Sequence, residues 1–177
     1  MNPQPLLDLL KPQRIIEIVD IGANPIDGDP PYKPMLRAGE ICRVTGFKPQ
    51  EYALKKLNDA KSKLERYLPY AVGDGSEKVL NICSAEGMSS TFKPDSEILK
   101  IFHPFDIWGQ VVSQQKVLTK TLDSISEIEQ LDFLKIDIQG GELNVFQHGK
   151  KSLLMRLQFR QKFRLFPYTK ANQHLVL

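Results

Sequence analysis

No run of apolar residues in this chain is long enough to cross a membrane, and the opening Met1-Asn-Pro-Gln-Pro-Leu lacks the basic-then-apolar order of a signal peptide. There are only two cysteines, Cys42 and Cys83, far apart and in strand-like surroundings. That argues against a disulfide framework or a metal site, and predicts two buried reduced thiols in a cytoplasmic protein. Histidine and tryptophan are scarce. His103 and Trp108 fall in an irregular stretch where packed or surface loop residues are expected, and neither is given a chemical role. The glycine-rich loop of dinucleotide-binding proteins is missing as well. The first turn holds Gly22 and Gly28 only, with Pro25 between them, and acids stand nearby instead of the amides of a helix N-terminus. Such a turn suits a ligand with a cationic end and no phosphates.

What is present is ordinary in bulk. The 177 residues suffice for one domain with a real core, and 41% hydrophobic with 25% charged residues is the balance of a globular protein. The net charge of +3 is unevenly spread. Residues 155–177 hold Arg156, Arg160, Lys162, Arg164 and Lys170 and no acid; without those five the 24 basic residues fall to 19 against 21 acids. The body is therefore slightly acidic, and the basic tail carries no nucleic-acid motif, so neither nucleic acid nor a membrane surface is expected as a partner.

Periodicity gives alternating elements. Ile15 to Ile21 reads as a strand buried on both faces, followed by the turn Gly22-Ala23-Asn24. The proline-rich stretch from Pro25 to Pro34 is an extended loop, and residues 32–38 a short helix. Residues 41–47 form a second strand, 49–64 a helix with Pro49 in its first turn, and 67–72 a third strand ending at Gly73-Asp74-Gly75. Strands are expected over 77–83 and 115–121, a short helix over 97–102 and another over 122–129. Asp132 to Ile138 is an apolar strand breaking into Gln139-Gly-Gly-Glu142, with a helix after it. This order predicts an α/β fold: a mainly parallel sheet with helices on both faces. Ligands of such sheets sit beyond the carboxyl ends of the strands. Four strand ends bring polar groups to that rim: Asp20, Gly22 and Asn24; Lys48; Asp74; and Asp137 with Glu142.

The segments VDIGANPIDGDPPYKPML, GFKPQ, YLPYAVGDG, GMSST, TKTLDSI and LDFLKIDIQGGEL resemble the FkbM family of S-adenosylmethionine-dependent methyltransferases, from about Ile15 to Leu154. The resemblance implies the class I methyltransferase fold, Rossmann-like, with S-adenosylmethionine as cofactor and a hydroxyl of a sugar or other small molecule as acceptor. It implies that Asp20, Gly22 and Asn24 line the methionine end of the cofactor. Position 48 would meet the ribose, and Asp74 would lie near the adenine amine. Asp137 would orient or deprotonate the acceptor hydroxyl, with Glu142 assisting or stabilising the start of its helix. The transfer implied is in-line and needs no covalent enzyme intermediate, so catalysis rests on alignment.

Two departures stand out. The family carries an acid where this chain reads Gly46-Phe47-Lys48-Pro49. Lysine donates but cannot accept from two ribose hydroxyls, a loss of about 1.5–3 kcal/mol, or roughly ten- to a hundredfold in affinity. That favours, as the rival reading, a non-catalytic remnant that keeps a nucleoside pocket. The second departure is the tail. Relatives continue after this point with a strand like Ile-Gln-Thr-Glu-Val-Ser-Phe-Val-Pro-Leu-Tyr, whereas this chain reads MRLQFRQKFRLFPYTK. One permitted coding of that stretch, with codons chosen for the comparison and read from its third base, gives Ala-Val-Ala-Ile-Gln-Thr-Glu-Val-Ser-Phe-Val-Pro-Ile-Tyr-Lys.

Residues 1–154 are accordingly expected to be a partial methyltransferase domain lacking its C-terminal strands, and 155–177 a frameshifted, non-homologous tail. The sheet would then stop at its fourth core strand, with an open apolar edge unless the tail happens to pair there. The coding DNA across residues 150–156 should differ from that of close relatives by a one-base insertion or deletion. A gap-free alignment there would end the frameshift idea.

Overall fold

The computed structural model describes residues 14–24, 28–39 and 41–154, and the backbone of Gln158–Gln161. Pro25 and most of the basic tail lie outside the described residues. The strands are β1 (Ile16–Ile21), β2 (Cys42–Phe47), β3 (Glu65–Leu68), β4 (Ala71–Val72), β5 (Glu77–Cys83), β6 (Val111–Lys120), β7 (Phe133–Ile136) and β8 (Gln158–Gln161). The helices are α1 (Lys33–Arg37), α2 (Glu51–Ala60), α3 (Ser96–Leu99), α4 (Phe105–Trp108), α5 (Glu142–Gln147) and α6 (Lys150–Leu153).

The main sheet runs β3-β2-β1-β7-β8, parallel throughout. This is the α/β architecture expected, with β1 at the centre. A second sheet, β4-β6-β5, consists of an antiparallel β5–β6 ribbon with β4 joined in parallel to the end of β6. The residue pattern of β1 explains its place. Val19 and Ile21 enter a core with Phe47, Leu122, Leu134, Ile136 and Val145, while Ile18 packs on the other face with Tyr32, Cys42 and Val44. A strand buried on both faces has to be apolar at successive positions, as this one is.

Three expectations are corrected. The helix after Pro49 ends at Ala60, where Lys61 turns extended, and does not reach Leu64. The third strand divides into β3 and β4, because Pro69 has no N–H for a sheet ladder. The helix expected over 122–129 shrinks to a single 3₁₀ turn, Leu122–Ser124. Beside β7 the tail does pair: Phe133 to Ile136 match Gln158 to Gln161 in parallel register. Residues 84–112, read as mostly irregular, also contain α4 and the start of β6.

Both cysteines are free and buried. Burial pushes each thiol up to about 11. At neutral pH almost no thiolate is therefore present, and the thiolate is the reacting form. An aromatic disulfide reagent at pH 7 should label neither cysteine in the native protein and both in denaturant. Rapid native labelling of either would contradict this packing.

Candidate functional site

The turn after β1 brings the sheet's centre to a ligand-sized space. Gly22 has a φ of +82°, and a Cβ there would stand 2.2 Å from the carbonyl oxygen of Asp137. Only glycine permits that approach. The ends of β1 and β7 thus meet, with the Asp137 N–H donating to the Ile21 carbonyl at 3.0 Å.

Two cavities flank this junction. The first, about 220 Å³, is lined by Gly22 and Asn24 from the β1 turn, Phe47 and Lys48 from the end of β2, and Tyr70, Val72 and Leu80. Residues 86–92 contribute Glu86, Ser89, Ser90 and Phe92, and the end of β7 contributes Asp137, Ile138 and Gln139. Phe47 and Tyr70 stack on each other with ring centroids 6.1 Å apart and give the cavity an aromatic wall. The second cavity, about 510 Å³, lies under the loop before α1. Asp20, Tyr32, Lys33, Glu65, Tyr67 and Lys135 are in its wall. Asn24 and Asp137 line both cavities.

Among the described residues, three buried side-chain atoms have no hydrogen-bond partner: Gln50 Nε2, Glu86 Oε2 and Asn144 Oδ1. All three belong to residues lining the first cavity. An unmet buried polar group costs about 1–3 kcal/mol, so their gathering in one wall marks a place where a polar ligand would satisfy them.

Asp137 is held in place by its surroundings. Gln139 Nε2 donates to it at 3.0 Å, and Gln139 has a left-handed φ of 65°, rare for a side chain of that kind. That conformation is fixed by the Ser90 hydroxyl donating to the Gln139 carbonyl at 2.9 Å. The Glu142 carboxylate also helps, accepting from the N–H groups of Ile138 at 3.2 Å and Gly140 at 2.9 Å.

The residues singled out by sequence therefore divide. Gly22, Asn24, Lys48 and Asp137 line the first cavity. Asp20, Asp74 and Glu142 do not. Glu142 is spent on the turn before α5. Asp74 binds Lys78 at 2.8 Å and accepts from Ser76 and Asn144; Lys78 and Ser76 hold its carboxyl well below the usual range. Asp20 is 2% exposed and faces the second cavity. One of its oxygens accepts from the Tyr32 hydroxyl at 2.6 Å and the other from Lys135 at 2.9 Å.

Beside that pair, Tyr67 donates to Glu65 at 2.9 Å, and Lys33 stands 3.6 Å from it. Burial raises Tyr32 and Tyr67 far above an ordinary phenol, and the neighbouring carboxylates raise them further. Burial also pushes Glu65 up, but bonds from Ser62 and Tyr67 outweigh it and keep its carboxyl low. Sequence reasoning missed Gln50, Glu86, Ser90 and Gln139. Glu86 and Ser90 sit in a segment with no period, Gln50 sits at the very start of the helix read from Pro49, and only the glycine pair after Gln139 hints at an unusual turn.

The family model of the methyltransferase FkbM domain matches residues 20–175 of this chain. The match begins at Asp20 and runs past Leu154, through the segment that the sequence sets apart. No curated protein and no solved structure matches.

Removing one partner of a buried ion pair strands the other charge, at a cost of about 3–5 kcal/mol. Lys135→Met should lower stability by that amount in urea unfolding, and adding Asp20→Asn should recover most of it. Equal losses in the single and double variants would show that Lys135 acts by packing alone.

Proposed function

We propose, for a chain that belongs to the methyltransferase FkbM domain family, that the paired cavities serve methyl transfer from S-adenosylmethionine to a hydroxyl of a small molecule. The observation that carries this reading is Asp137. It lies at the end of the central strands, in the wall of both cavities, and behind a turn whose strained residue fixes it. Strain of about 1–3 kcal/mol at such a residue persists where the surroundings over-determine it, and such places cluster at active sites.

The donor set of the first cavity fits an adenosyl ligand in most respects. The base would lie along the aromatic wall that Phe47 and Tyr70 contribute, and the Glu86 and Asn144 acceptors would meet N–H or ammonium groups. Gly22 lets the backbone come close, and Asn24 offers an amide at the junction. Lys48 is the exception, since it offers no acceptor to the ribose hydroxyls. Bound S-adenosylmethionine would supply an electrophilic methyl group. Asp137 would accept a hydrogen bond from the attacking hydroxyl and take its proton as the new bond forms. The second cavity, edged by phenol, ammonium and carboxylate groups, is the space for the acceptor, and its polarity suits a hydroxylated one.

A second reading has its own support in Lys48, which is 6% exposed inside the first cavity. On that reading the fold keeps a nucleoside pocket without turnover. Release of S-adenosylhomocysteine, measured with S-adenosylmethionine and a panel of methyl glycosides, separates the two. The methyltransferase reading expects turnover that falls about a hundredfold or more in Asp137→Asn, with S-adenosylhomocysteine affinity kept. Binding without turnover, in both the unaltered chain and Lys48→Glu, would support the remnant.

A further inference from the structure

The hold on Asp137 reaches well beyond its own turn. Ser90 comes from the segment between β5 and β6 and is 1% exposed. Its hydroxyl accepts from the Phe92 N–H at 2.9 Å and donates to the Gln139 carbonyl at 2.9 Å. Neither bond can run the other way, because an amide N–H only donates and a carbonyl only accepts. The one hydroxyl proton is therefore committed to Gln139.

Ser90 is itself pinned to β5. Its N–H donates to the Asn81 carbonyl at 3.1 Å, and the Asn81 N–H donates back to the Ser90 carbonyl at 2.8 Å. The Asn81 side-chain amide adds a bond to that carbonyl at 3.2 Å, and its oxygen accepts from Gln114 of β6 at 2.7 Å. An unbroken chain of hydrogen bonds thus runs from the β5–β6 ribbon through Ser90 to the Gln139 peptide. Gln139 is 3% exposed, has its left-handed φ, and donates from Nε2 to Asp137 Oδ1 at 3.0 Å. A ribbon outside the main sheet therefore helps to fix one oxygen of the carboxylate at the end of β7. Glutamine is a poor choice for the turn alone, since glycine takes a positive φ without strain. What glutamine adds is the side-chain amide.

We propose that Gln139 is a positioning residue for methyl transfer, aiming the Asp137 carboxylate from a peptide that Ser90 locks. The proposal rests on the methyltransferase reading, in which Asp137 takes the proton of the attacking hydroxyl. That proton moves to Asp137 as the oxygen–methyl bond forms and the methyl–sulfur bond breaks, its electron pair staying on sulfur to leave a neutral thioether. Gln139 exchanges no proton. Its contribution is alignment, and misplacing a reacting group by about 1 Å can cost on the order of a hundredfold in rate.

Steady-state turnover of S-adenosylmethionine with the methyl glycoside panel, read beside thermal unfolding and S-adenosylhomocysteine calorimetry, tests it on the full chain. Gln139→Gly relieves the left-handed strain and removes the amide. It should unfold at about the same temperature as the unaltered chain yet lose about tenfold or more in kcat, with KM for S-adenosylmethionine held within about threefold. Ser90→Ala should lower kcat as well. Added to Gln139→Gly it should cost no further kcat, because its effect passes through the amide already lost. Unchanged kcat in a folded Gln139→Gly variant, or single losses that multiply in the double variant, overturns the proposal and leaves the methyltransferase reading intact. So does a loss of S-adenosylhomocysteine affinity that matches the loss in turnover, which would make Gln139 a cofactor contact instead. Should Ser90→Ala fail to fold, the Gln139→Gly comparison decides alone. Absence of turnover with every acceptor, in the unaltered chain and in Lys48→Glu, overturns the methyltransferase reading and the proposal with it.

Discussion

The closeness of the β1 turn to the end of β7 governs the site. Gly22 gives up its side chain so that the Asp137 carbonyl can occupy the space. From that contact the rest follows geometrically. Asn24 and Asp137 both come to line the two cavities, and the main chain after β7 must reverse at once to begin α5. The reversal uses Gln139 and Gly140, both at positive φ, and the Glu142 carboxylate accepts from the N–H groups of Ile138 and Gly140. The Glu142 carboxylate is in this fold the clamp of the turn that carries Asp137, the stabilising one of the two roles expected for it.

The two acids at the sheet's centre have opposite fates for a simple reason. Side chains alternate along a strand. Val19 and Ile21 face one core, so Asp20 faces the other side with Ile18, where Tyr32 and Lys135 close over it. A buried charge is tolerated only when paired and hydrogen-bonded. Asp20 meets both conditions and has no oxygen left over. Asp137 lies one step past its strand, where the ladder has ended and the wall is open to both cavities.

This also marks what was legible in the residues. The apolar run of β1, its break at Gly22, the parallel alternation and the approach of Asp137 could all be read from pattern. The same alternation contained the answer for Asp20, since its parity with Ile18 set it away from Val19 and Ile21. Other features could not be read. Glu86 and Ser90 reach the cavity through long-range folding of a segment without period, and Gln50 reaches it from a helix start whose apolar face says nothing about its neighbours across the sheet. The division of the third strand at Pro69 was visible in principle, because a proline interrupts a ladder, but not that Ala71 and Val72 would join β6 instead. The pairing of Gln158–Gln161 beside β7 had no local signal in so charged a stretch.

Energetics connect the unread features. Three unmet polar atoms at about 1–3 kcal/mol each, and a left-handed glutamine at about 1–3 kcal/mol, lie around one small cavity. Against a net stability that is typically about 5–15 kcal/mol, such a concentration is too large to be incidental packing error. Elsewhere the described core satisfies its buried groups: Asp20, Glu65, Thr119 and Asn81 all have partners. Stability has been given up locally, at the place where two strand ends meet. A bound molecule is what would return it.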